Sequence, residues 1–226
     1  MKKPLPAVVQ AVVLGAALLL TGTVAAQAQG ARPGDAVAGE KKASTCAGCH
    51  NIAGYQASFP EIYKVPKIAG QSGSYIVAAL TGYKTGERRH PTMRAVATVL
   101  SEQDMADLAA YYEQLGKKGD NAVMPAVVAP PVEVAALLAK ANCSSCHGAN
   151  FTAPIANYPK LAGQHADYLY VSLKAYQTAN NPLVGRNNQI MMGMARPYTH
   201  AELKAMARYL SQLPTELKTV ALSRFR

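Results

Sequence analysis

The chain has 226 residues, half of them hydrophobic, with no tryptophan and a formal net charge of +10. That length allows one domain or two small ones, and without Trp the interior has to be filled by something other than the largest aromatic side chains. The basic balance suits anionic partners, a membrane surface or simply a solvated basic face, and nucleic acid drops out once the first segment is read.

Lys2 and Lys3 precede an uncharged run from Leu5 to Leu20, and small residues at Ala26 and Ala28 follow. This is the layout of a secretory signal peptide over residues 1–28. The stretch from Pro4 to Ala28 would also serve as a retained anchor, since a span needs ~20 residues; Pro4, Pro6 and the A-x-A site favour cleavage. Cleavage removes Lys2 and Lys3 and no acid, taking the charge from +10 to +8. An exported chain meets little nucleic acid, and no later apolar run approaches spanning length, so the mature chain is expected to be soluble.

The remainder repeats itself. "TCAGCH" at 45–50 returns within "NCSSCH" at 142–147, and "VPKIAGQSGSYI" at 65–76 returns as "YPKLAGQHADYL" at 158–169. "LSEQDMADLAAYYEQL" at 100–115 returns as "YTHAELKAMARYLSQL" at 198–213. The spacing predicts a first domain over 29–115, a Gly- and Pro-containing linker over 116–131 and a second domain over 132–226.

Each repeat reads as all-α, with no convincing alternating strand pattern. A short first helix is expected over 39–44 and again over 134–140, and a middle helix over 74–84 and 167–177. In the last helix, Met105, Leu108, Ala109, Tyr112 and Leu115 form an apolar stripe, matched by Leu203, Met206, Ala207, Leu210 and Leu213. These stripes are core faces. Ser101 with Asp104, and Thr199 with Glu202, predict N-terminal caps, the second pair fitting the capping box more closely.

"CAGCH" and "CSSCH" hold all four cysteines: Cys46, Cys49, Cys143 and Cys146, followed by His50 and His147. C-x-x-C-H attaches c-type haem: the thiols add to two vinyl groups and the adjacent imidazole turns onto the iron. A zinc site would need two distant pairs to converge and neither would need a His. A redox C-x-x-C belongs in a βαβ setting that is missing here, and structural disulfides leave both histidines unexplained. The reading is therefore two covalent haem c groups.

A His-ligated iron has a second axial position, and a thioether there favours the ferrous state. Met93 lies seven residues before Leu100; seven before its counterpart Tyr198 lies Met191. Met192 and Met194 align instead with Arg94 and Val96. Met93 and Met191 are thus the candidate sixth ligands, with Met192 and Met194 expected to pack around the haem.

The ordered motifs, C-x-x-C-H, "PKIAGQ" or "PKLAGQ", then a Met in a loop before the last helix, resemble class I cytochromes c. Two such units after a signal peptide resemble the dihaem cytochrome c4 family, over nearly the whole mature chain. The resemblance implies two small all-helical domains, each wrapped around one haem c with axial His and Met, carrying electrons in the periplasm. It further implies that the carbonyls of Pro66 and Pro159 accept from the ring N–H of His50 and His147. Two departures stand out: Asn51 where Gly follows the motif, as Gly148 does in the second copy, and Tyr198–Thr199 in place of Leu-Ser.

Arg88 and Arg186 align between copies and are candidates to neutralise haem propionates, with solvated loop arginines the alternative. His90, His165 and His200 have no counterpart and suit surface or capping roles; His90, three residues from Met93, is a competitor for iron only if its loop rearranged. The expected function is outer-sphere electron transfer between redox proteins of the periplasm or inner membrane surface, such as a quinol-oxidising complex and a terminal oxidase or reductase. The alternatives are an electron-transfer subunit of a periplasmic dehydrogenase, such as a flavocytochrome c sulfide dehydrogenase, and a dihaem peroxidase or thiosulfate-oxidising enzyme. The last needs an exchangeable iron position, against which the paired methionines argue.

Overall fold

The computed structural model describes residues 32–117 and 126–221. The expected signal segment and the middle of the expected linker lie outside them.

In the first repeat α1 (Ala36–Lys42) begins at Asp35, whose carboxylate accepts from the backbone N–H of Val37 and Ala38. α2 (Ser44–His50) carries the whole first Cys motif. β1 (Gln56–Ala57) and β2 (Tyr63–Lys64) pair antiparallel. α3 (Gly73–Thr85) ends at Gly86, whose φ of +89° suits only glycine. β3 (Arg88–Arg89), α4 (Pro91–Thr98) and α5 (Glu102–Leu115) follow. The second repeat runs α6 (Val132–Lys140), α7 (Ser144–His147), α8 (Ala166–Gln177), β4 (Gly185–Arg186), α9 (Gln189–Ala195) and α10 (His200–Gln212).

Both last helices face inward as their stripes predict. Met105, Leu108, Ala109, Tyr112 and Leu115 are buried in one core, and Leu203, Met206, Ala207, Leu210 and Leu213 in another. Each large buried apolar side chain contributes roughly 1.5–3 kcal/mol, so α5 and α10 carry much of their domains' stability. Both helices start in complete capping boxes. Ser101 Oγ accepts from Asp104 N–H and the Asp104 carboxylate accepts in return, as Thr199 and Glu202 do.

Two expectations need correction. The four strands are two residues each, too short for a period-2 pattern to register in the sequence. Met93 and Met191 lie not in loops but in short helices, α4 and α9, because Pro91 presets the first turn of α4 and side chains cap both starts. His90 Nδ1 accepts from Met93 N–H and Asn188 Oδ1 accepts from Met191 N–H.

Asp107 is buried where α1 meets α5, and it is fully engaged. It accepts from Asp35 N–H at 2.9 Å, Lys42 Nζ at 2.6 Å and Gln103 Nε2 at 2.8 Å. The Asp35 N–H first, and then Lys42, hold its carboxyl down to about 2, below the ordinary value of 3.8. A depressed carboxyl contributes stability that is present above the unfolded value and lost as pH falls through the folded one. Acid unfolding should therefore steepen between about pH 4 and pH 2. Asp107→Asn is expected to cost about 1–3 kcal/mol at neutral pH and to flatten that acid limb, as read by guanidinium unfolding of the holoprotein across pH.

The two domains meet about an approximate two-fold axis that relates equivalent residues. Lys67 N–H donates to Gln164 Oε1 at 3.0 Å and Gln164 Nε2 donates to Lys67 O at 2.8 Å. Lys160 and Gln71 repeat the bracket, at 2.8 and 3.0 Å. Beside it β3 and β4 pair antiparallel across the domains, Arg88 opposite Arg186. The same patch thus serves both partners, as in an isologous dimer interface.

Candidate functional site

The Cys motifs are placed by helical turns. Cys46 and Cys49, and likewise Cys143 and Cys146, are three residues apart and half-buried, with no disulfide among them. His50 closes α2 and His147 closes α7. His50 Nδ1 lies 2.9 Å from Pro66 O, and His147 Nδ1 lies 2.9 Å from Pro159 O. A carbonyl only accepts, so each ring carries its proton on Nδ1 and keeps a free lone pair on Nε2. Burial pushes both imidazoles below their ordinary pKa, partly offset by the proline carbonyls. Both rings are therefore neutral, the form that ligates metal.

In the second domain Nε2 of His147 is buried with no partner. A native fold rarely leaves such a nitrogen idle. It borders an apolar pocket that also takes in Cys143, Cys146, Leu161, Met191 and Met194. A free imidazole nitrogen, two thiols and a thioether around one apolar space are the donor set that a covalent haem needs. In the first domain Cys46 and Met93 pack against the core.

The three clustered methionines are placed differently. Met191 and Met194, three apart on α9, both line the cavity, whereas Met192 does not. Met192 is thus withdrawn from haem packing, since the turn of α9 carries it off that face. Helix register separates the other two: Met191 and Met93 each supply the backbone N–H bound by the capping side chain, the same position of equivalent helices.

The departures from the family pattern are coherent. Gly148 has φ +82°, and a Cβ there would lie 2.5 Å from Ala153 O. Asn51 has φ −103°, which any residue adopts. Its buried amide donates to Val220 O and accepts from Tyr112 OH, tying the C-terminal segment to the first core. Tyr198 is buried in the second core and lines the cavity, donating from its hydroxyl to Leu137 O. His90 caps α4, and its Nε2 lies 3.0 Å from Tyr63 OH. His200 is exposed at the start of α10, and His165 precedes α8 without capping it.

Arg88 and Arg186 are not solvated. They line an interdomain pocket with Tyr63, Tyr83 and Tyr168. Arg88 donates to Tyr75 OH and Tyr168 OH, and Arg186 donates to Tyr168 OH. Arg88 stacks on Tyr75 and Tyr83, Arg186 on Tyr168 and Tyr176. Among the described residues neither pairs with a carboxylate, and Nε of Arg88 has no acceptor. Burial raises the Tyr168 phenol, but Arg186 and Arg88 outweigh it and bring it down to about 7. The cluster therefore has a surplus of positive charge that an anion would balance. Gln71 and Gln164, which bracket the domains, were not singled out from sequence; their shared place in "AGQ" was the available signal.

The family model for cytochrome c matches the chain twice, over residues 34–116 and 132–214. The chain is 34% identical over 204 residues to cytochrome c4 of Thiocapsa roseopersicina, covering 83% of this chain and 97% of that one. It is 29% identical over 208 residues to the thiosulfate dehydrogenase electron acceptor of Stutzerimonas stutzeri, covering 88% and 93%. Among solved structures, reduced recombinant cytochrome c4 from Pseudomonas stutzeri superposes with a TM-score of 0.57 at 28% identity, covering 80% of this chain and 99% of that one.

Proposed function

The chain belongs to the cytochrome c family, within its dihaem cytochrome c4 group, and on that premise we propose that it shuttles single electrons between redox proteins of the periplasm. It is a dihaem electron-transfer protein with two covalently attached haem c groups. The observation that carries the reading to individual residues is the unpartnered Nε2 of His147 in a cavity shared with two thiols and Met191.

Haem c supplies a one-electron ferric/ferrous couple. Cys46 and Cys49, and Cys143 and Cys146, form the thioether links. His50 and His147 would hold the iron through neutral imidazoles, oriented and made more basic by the carbonyls of Pro66 and Pro159. Met93 and Met191 would supply thioether sulfur to the iron, a ligand that favours the ferrous form. With a His and a Met in each domain available to one iron, the site would suit carrying electrons rather than binding a substrate. Arg88 and Arg186 would be available to balance propionate charge. A spectroscopic redox titration tests the assignment: two haems per chain and the near-infrared band of ferric His/Met ligation are expected, and absence of that band in either haem removes its Met ligand.

The side chains of the mature chain carry +8, and up to four propionates leave the holoprotein near +4. Ile190 and Met194 line the cavity and are also exposed, giving its mouth an apolar contact surface. Docking on acidic patches should be weak and transient. Electron-transfer rates with an acidic partner are expected to fall severalfold as the screening length shrinks from ~30 Å at 0.01 M salt to ~8 Å at 0.15 M. A rate flat across that range would refute electrostatic docking.

A second reading has its own support in the 29% identity to a thiosulfate dehydrogenase electron acceptor over most of both chains. Here the same site serves one dehydrogenase as its dedicated acceptor. Copurification with such an enzyme, and reduction by it much faster than by quinol-oxidising complexes, would select this reading over the general shuttle.

A further inference from the structure

We propose that each domain's interface glutamine tunes the haem of the opposite domain, through the peptide group that holds that haem's proximal histidine. The peptide unit joining Pro66 to Lys67 is engaged at both ends. Its carbonyl oxygen lies 2.9 Å from His50 Nδ1, and its N–H donates to Gln164 Oε1 at 3.0 Å. The unit joining Pro159 to Lys160 is held in the same way, by His147 at 2.9 Å and by Gln71 Oε1 at 2.8 Å. Two unbroken hydrogen-bonded chains therefore cross the interface in opposite directions, from Gln164 to His50 and from Gln71 to His147.

Hydrogen bonds in series polarise one another. An acceptor on the peptide N–H shifts electron density onto the same peptide's oxygen, which then accepts more strongly from the imidazole N–H. The ring becomes a stronger donor to iron, and the ferric state gains relative to the ferrous. Each glutamine thus lowers the potential of the haem in the other domain. The geometry favours a defined polarity: Gln71 and Gln164 are each only 3% exposed. Their Oε1 atoms are further fixed by the N–H of Ser72 and His165, and their Nε2 atoms by the carbonyls of Lys160 and Lys67. Tyr and Arg side chains fill the neighbouring cavity, but none of the hydrogen bonds along either chain passes through them.

Gln71 and Gln164 are positioning residues in this scheme, and it rests on His50 and His147 being the proximal ligands. The experiment uses the full holoprotein carrying Gln164→Leu or Gln71→Leu, followed haem by haem in an NMR-monitored redox titration. The ferrous His Nδ1–H resonances are assigned separately. Gln164→Leu is expected to raise the potential of the His50 haem and move the His50 Nδ1–H signal upfield, leaving the His147 haem in place. Gln71→Leu should do the converse. Gln164→Glu, which keeps an acceptor for Lys67 N–H, should restore the His50 signal. Equal shifts at both haems would mean that the interface had merely loosened, and would overturn the proposal, as would a shift confined to the mutated domain or no shift. If one leucine variant does not yield holoprotein, the other carries the same test by symmetry. Should the ring protons of either imidazole lack the ring-current shift of an axial ligand, the ligand assignment itself fails, an outcome distinct from the uncrossed patterns.

Discussion

Replacing Met191 with alanine is expected to abolish thioether ligation in the second haem while leaving the first intact. The near-infrared band of ferric His/Met ligation should lose about half its intensity, given one such centre in each domain. The potential of the affected haem should fall, because loss of the neutral sulfur removes a preference for ferrous iron. A fall on the order of 0.1 V would be a modest part of the ≈ 0.8 V that axial ligands span. Met194→Ala is the demanding control, since Met194 lines the same cavity. It should keep the band and shift the potential little, as should Met192→Ala, whose side chain is not part of the lining. If Met194→Ala lost the band and Met191→Ala kept it, the helix register shared by Met191 and Met93 would be the wrong guide.

That register could be read only partly from the chain. Cys46, Cys49, His50 and their counterparts were legible because their chemistry depends on residue identity at fixed short spacing, which a linear sequence records. Met191 was nominated only by comparing the copies, and the helices that carry Met93 and Met191 were missed although Pro91 and the capping positions His90 and Asn188 were in view. Seven- and eight-residue helices carry too few turns for an apolar period to stand out. The interface was hidden for a different reason. The pairs Gln71 and Gln164, and Arg88 and Arg186, were visible as matches between the repeats, but nothing in a linear pattern says that matched residues face one another. What reveals it is that Gln71 and Gln164 each bond the opposite domain's backbone, and that Arg88 reaches Tyr168 and pairs its strand with that of Arg186 across the boundary. The Tyr cluster shows the same limit. Nothing in the linear pattern groups Tyr75, Tyr83, Tyr168 and Tyr176; the arginines stacked on their rings do.

The haem ligands can be held in register only if the first and last helices of a domain stay locked, and in the first domain that lock is a glycine. A Cβ on Gly39 would lie 2.0 Å from Asp107 O and 2.8 Å from the Cβ of Tyr111. The first obstacle is backbone, so no rotamer change relieves it, and α1 would have to withdraw from α5. Withdrawal would also pull Asp35 N–H and Lys42 away from Asp107, leaving a buried carboxylate short of partners. Overpacking alone costs about 1–3 kcal/mol, and the stranded carboxylate adds about 1–3 kcal/mol more. Gly39→Ala is therefore expected to destabilise the first domain by ~3 kcal/mol or more, and Gly39→Val to prevent its folding around haem. The second domain has a different lock, with Val134 and Leu138 forming the buried face of α6 and Ala141 buried just past its end. Thermal unfolding followed at each haem should then show an early transition for the first domain alone. A Gly39→Ala holoprotein with both transitions unmoved would show that α1 and α5 are not held together by this contact.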